Sequence, residues 1–211
     1  MEGKININID AALQLAKERK AKDVISSAMN AFKITKKNYL QRGILIVIIL
    51  IIATVVGYTR ETVNIFSESC ETILNVVVAM FGTVFTGYSF FQALISEELL
   101  VRMVNDTTKD CKGDEKSKLQ ETNETFIECM MLELFTILIS LLLKIIISCV
   151  NPEFLLFNQM WKNNTMASIL IFVYFYIVAI VLWEIKSFIF NVFQLFNIYA
   201  GVKIVGIVKK E

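Results

Sequence analysis

From Thr72 to Ser96 the chain runs for 25 residues without a charged side chain. As a helix, that length crosses the roughly 30 Å hydrocarbon core of a bilayer. Within it Thr72, Asn75, Ala79, Gly82, Thr86, Ser89, Ala93 and Ser96 recur at alternating steps of three and four, while the remaining positions are mostly large and apolar. This is a heptad seam of small or polar residues. In lipid, small residues let helix backbones approach, and hydroxyls and amides bond across the contact. Two readings fit the seam: a contact with another helix, including its own copy in a second subunit, or one wall of a water-filled pore faced by Asn75, Thr86 and Ser89.

Three more spans follow from the same logic. Gly43 to Thr59 is uncharged between Arg42 and Arg60, and its Ala53 and Gly57 are spaced for close helix packing. A third span covers 127–150 and a fourth 166–186, the latter ending on Glu184 and Lys186. A hydrophobic share of 55%, a mean hydropathy of +0.59 and a single proline agree with a membrane protein. The expected fold is all-α: a four-span helical transmembrane protein with cytosolic helical extensions and an N-terminal amphipathic helix.

Charge inside a span is costly, so Glu133, Lys144, Glu184 and Lys186 are candidate functional or paired groups. Glu133 and Lys186 reach similar depth, which predicts a salt bridge between them. Lys144 either snorkels or pairs structurally, or else faces an ion or ligand.

The remaining segments are polar. Residues 1–42 read as one basic amphipathic helix capped by Asp10, with Lys17, Lys20, Lys33, Lys36 and Lys37 on a surface for anionic lipid headgroups, a protein partner or solvent. Residues 97–126 read as a cytosolic helical hairpin turning at Cys111-Lys112-Gly113-Asp114, with the second-span helix continuing past the membrane. Residues 60–71 read as an external link, and 187–211 as an interfacial or cytosolic continuation of the fourth helix. Nine Lys or Arg precede the first span, five lie in the middle loop and four at the C-terminal side, against one in each external link. The positive-inside rule then puts both termini in the cytoplasm. There is no apolar leader in the first 42 residues, so the first span is expected to act as its own insertion signal.

Chemistry is constrained by what the sequence lacks. There is no histidine, which removes the commonest general base and metal ligand. Phosphate-cradling, dinucleotide-binding, nucleophile-elbow and zinc-protease motifs are missing, and Cys70, Cys111, Cys129 and Cys149 form no CxxC pair. An enzyme, a cofactor and a metal site are therefore not expected, and a net charge of +1 gives no general attraction to nucleic acid. The expected partners are a second copy of the chain and a soluble cytosolic protein. The leading functional reading is a homo-oligomeric scaffold or sensor, and the alternative is a pore-forming effector with the second span lining the path.

In size, span number, cytosolic termini and lack of catalytic motifs the chain resembles the small multi-pass membrane components of prokaryotic anti-phage defence operons, such as the membrane subunit of the Kiwa system. The resemblance implies a role in sensing infection at the inner membrane together with a cytosolic effector, with pore formation as the rival. It carries no functional residue across.

Overall fold

The computed structural model describes residues 8–16, 20–33, 39–109, 115–150 and 155–208. Its elements are α1 (Ile9–Ala16), α2 (Ala21–Ala28), a 3-10 turn (Met29–Phe32), α3 (Tyr39–Gly57), α4 (Thr62–Leu94), α5 (Glu97–Asn105), β1 (Thr107–Lys109), β2 (Glu115–Ser117), α6 (Lys118–Cys149) and α7 (Met160–Val208). Four of these, α3, α4, α6 and α7, are long and apolar enough to cross a membrane. The chain is an all-α, multi-pass membrane protein with four spanning helices.

Several boundaries differ from the sequence expectation. The N-terminal segment is not one helix: α1 ends at Ala16 and α2 begins at Ala21. Asn8, not Asp10, caps α1, because its side-chain oxygen accepts the N–H of Ala11 at 3.1 Å. The second span does not continue into the polar loop. Its helix stops at Leu94, and Ser96 adopts an extended conformation from which its hydroxyl accepts the N–H of Leu99, starting α5 afresh. Glu97 and Glu98 in the first turn then favour that new N-terminus.

The expected helical hairpin is instead α5, a short antiparallel ribbon and the start of α6. Thr107, Thr108 and Lys109 pair with Ser117, Lys116 and Glu115, and the turn at 111–114 lies outside the described residues. The link expected over 60–71 is mostly helix, since α4 begins at Thr62, whose hydroxyl bonds the carbonyls of Thr59 and Val56. The fourth span and the C-terminal segment form one continuous helix, α7.

The described residues divide into two compact units. One comprises 29–82 and 131–184. Its core joins Ala53 of α3, Phe66 and Cys70 of α4, and Ile171, Tyr174 and Val178 of α7, with Ile139, Leu143 and Ile147 of α6 packed against them. Phe66 meets Tyr174 edge-on at 5.6 Å between ring centroids. The expected close approach at Ala53 and Gly57 is present, with Gly57 lying against the backbone of Ser168.

The other unit comprises 1–28, 83–130 and 185–211. Phe126 of α6 is 2% exposed and sits among the rings of Tyr88 (5.1 Å), Phe91 (5.7 Å) and Phe188 (4.9 Å). Polar bonds tie the short elements to this cluster: Asn8 N–H to the Asn105 side chain, the Ser27 hydroxyl to Glu128, and Lys116 to Glu124.

Candidate functional site

The faces of α4 separate cleanly. Cys70, Val77, Val84 and Phe91, each seven residues apart, are buried. The seam residues Asn75, Ala79, Gly82, Thr86, Ser89 and Ala93 are all exposed. At 100° per residue, Asn75 and Ala79 each stand about 160° around the helix from Val77, and the relationship repeats every heptad. The seam therefore points away from the surfaces that α4 buries within the chain. Exposed Val76, Val78, Phe85 and Phe90 flank it.

A second polar feature lies inside the unit formed by 29–82 and 131–184. On α6, Glu133, Thr136 and Ser140 are spaced i, i+3, i+7, which stacks them on one face, and each is 0% exposed. The Thr136 hydroxyl donates to the Leu132 carbonyl at 2.9 Å, and the Ser140 hydroxyl donates to the Thr136 carbonyl at 2.7 Å. Ser140 Oγ also lies 2.8 Å from the Tyr174 hydroxyl. Because the Ser140 proton is already engaged, Tyr174 is the donor in that pair. Neither oxygen of Glu133 has a hydrogen-bond partner among the described residues. Lys186 sits on an exposed position of α7.

The other intramembrane charges find mates across the chain. Lys144 Nζ lies 2.5 Å from Glu71 Oε2, with both side chains substantially exposed, so this is the structural-pairing alternative for Lys144. Glu184 is joined by Arg42, which is only 5% exposed and also donates to the Ala31 carbonyl at 3.0 Å. Arg42 Nη1 has no partner among the described residues.

Of the basic surface, Lys20 and Lys33 are described and exposed, and neither lies within a helix. Lys17, Lys36 and Lys37 lie outside the described residues. Cys70 and Cys129 are buried cysteines and Cys149 is an exposed one. Among the described residues no group of three or more Cys, Asp or Glu is placed to hold a metal ion.

Sequence reasoning missed Arg42, Thr136, Ser140 and Tyr174. The i, i+3, i+7 spacing on α6 was a usable signal for the row. The Arg42 to Glu184 pairing, 142 residues apart in sequence, had none. No protein-family model, curated protein or solved structure matches the chain significantly.

Proposed function

We propose that this chain is a homo-oligomeric membrane scaffold or sensor that recruits or controls a soluble cytosolic protein, with both termini in the cytoplasm of a bacterial cell. The observation that carries the reading is the outward seam of α4. The Ser89 hydroxyl is bonded within α4 to the Phe85 carbonyl at 3.0 Å, and a second helix laid along the small residues of the row gains close packing, with the Asn75 amide available for an interhelical hydrogen bond. A closed ring or dimer formed through one such face gives each subunit the same environment.

The polar elements support the recruiting role. α1, α2, α5 and the ribbon belong to a folded unit with its own aromatic cluster, offering a preformed surface instead of a flexible tail. The distribution of Lys and Arg supports its placement in the cytoplasm. The resemblance to membrane components of anti-phage operons supports a role in antiviral defence, with an effector as the soluble partner.

Substitution in the seam tests the reading. Ala79→Leu with Gly82→Leu is expected to abolish the oligomer seen by mass photometry in nanodiscs while leaving the helical content unchanged. An unchanged oligomer would remove the seam as the assembly face. Affinity capture of the intact complex from the native host is expected to return a soluble protein at fixed stoichiometry.

The same seam supports the rival reading, a pore whose wall is the polar side of α4. Thr86→Val with Ser89→Ala then changes bilayer conductance while sparing assembly. An assembled protein with no soluble partner and a measurable conductance favours the pore.

A further inference from the structure

The polar row on α6 has a chemical direction. Its hydroxyl protons are all engaged: Tyr174 donates to Ser140, Ser140 to the Thr136 carbonyl, and Thr136 to the Leu132 carbonyl. What remains is a set of lone pairs on the Thr136 and Ser140 oxygens and on both oxygens of Glu133, which have no partner among the described residues. A buried row that offers only acceptors is complementary to a cation.

Among the described residues no Lys or Arg is hydrogen-bonded to Glu133. Of the described Lys and Arg in this unit, Arg42 is held by Glu184 and Ala31, Lys144 by Glu71, and Lys162 lies over the Trp161 ring. Lys144 is eleven residues beyond Glu133 on the same helix, about 16 Å along its axis. Arg60 and Lys33 are exposed and not bonded to Glu133. Cys70, Tyr174 and, one turn before Glu133 on α6, Cys129 are further titratable groups beside the row, and all three are buried.

We propose that Glu133, with Thr136 beside it, forms an intramembrane binding site for a small monovalent cation, H⁺ or Na⁺. A single buried carboxylate is neutralised by one positive charge, whereas a divalent ion would leave a net charge in hydrocarbon. Among the described residues there is no cluster of carboxylates or thiols that would hold a divalent metal. The site is separate from the α4 seam and stands whether or not that seam assembles the oligomer.

The test uses the full chain reconstituted in liposomes and dicyclohexylcarbodiimide, which reacts with protonated carboxyls in apolar surroundings. The modified residue is read by mass spectrometry across a pH series, with and without NaCl, and with choline chloride as the ionic-strength control. Labelling of Glu133 that falls as pH rises and is unaffected by NaCl identifies the proton as the cation. Labelling suppressed by NaCl but not by choline chloride identifies Na⁺, and Thr136→Val is then expected to lose that protection while the protein remains folded. Glu133→Gln is expected to remove the labelled site and to fold normally, since it keeps the shape without the charge. Glu133 that is never labelled in the folded protein, or is labelled equally under every condition, is a structural carboxyl and overturns the proposal.

Discussion

Gly57 of α3 and Ser168 of α7 approach so closely that a β-carbon on Gly57 would lie 2.9 Å from both the Cα and the backbone nitrogen of Ser168. The Ser168 hydroxyl is also in the way, but the Cα and nitrogen are backbone and cannot rotate aside, so the two helices must separate to admit even a methyl group. Ala53, one turn earlier and 0% exposed, continues the same close approach. Gly57→Ala is expected to destabilise the fold by about 1–3 kcal/mol, the usual cost of overpacking. Thermal unfolding of the purified protein in mild detergent measures it, and an unchanged midpoint would show that α3 and α7 do not meet at this point.

Arg42 is enclosed while its partner Glu184 keeps 32% of its side chain exposed. Arg42→Met removes the positive charge from a pair that is only half desolvated, so the expected loss is about 1–3 kcal/mol, below that of a fully buried pair. Arg42→Met combined with Glu184→Gln should recover part of that loss. A double mutant no better than the single would mean that Arg42 acts through its bond to the Ala31 carbonyl.

Ser140 and Tyr174 share a buried hydrogen bond of 2.8 Å. A double-mutant cycle of Ser140→Ala and Tyr174→Phe should return a coupling of about 0.6 kcal/mol, the average for hydrogen bonds between membrane helices, and no more than the maximum of about 1.7. A coupling near zero would mean that the two hydroxyls bond elsewhere in solution.

Phe126 holds its unit together through three ring contacts. Phe126→Ala leaves a cavity among Tyr88, Phe91 and Phe188, and the expected cost is about 3–5 kcal/mol. Under the recruiting role proposed above, a capture experiment with this variant is expected to find assembly retained and the proposed soluble partner lost. Loss of the oligomer with the partner retained would contradict the assignment of the recruiting surface to this unit.

The spanning helices were legible in the sequence because uncharged runs near 20 residues have few other folds open to them, and the Ala53 and Gly57 spacing announced a close contact without naming Ser168 as its partner. Local breaks were less legible. Ser96 lies in a run that carries a helical pattern on both sides, and only its captured Leu99 N–H shows that one helix ends and another begins. The ribbon of β1 and β2 escaped for a related reason: three-residue strands are too short for their alternation to register against charged neighbours. The unpartnered state of Glu133 could not be read at all, since a carboxylate's partner is decided by residues far away in the chain.

By itself the sequence determined that this protein is helical, crosses a membrane four times and carries a polar seam on its second span, because composition and periodicity act within a single segment. Periodicity groups residues onto a face without saying what that face meets. Only the tertiary structure decided that Cys70, Val77, Val84 and Phe91 turn inward, which leaves Asn75, Ala79, Gly82, Thr86, Ser89 and Ala93 outward. It also decided that Glu133 is enclosed while Lys144 and Arg42 find carboxylates, because pairing and burial depend on which helices pack together.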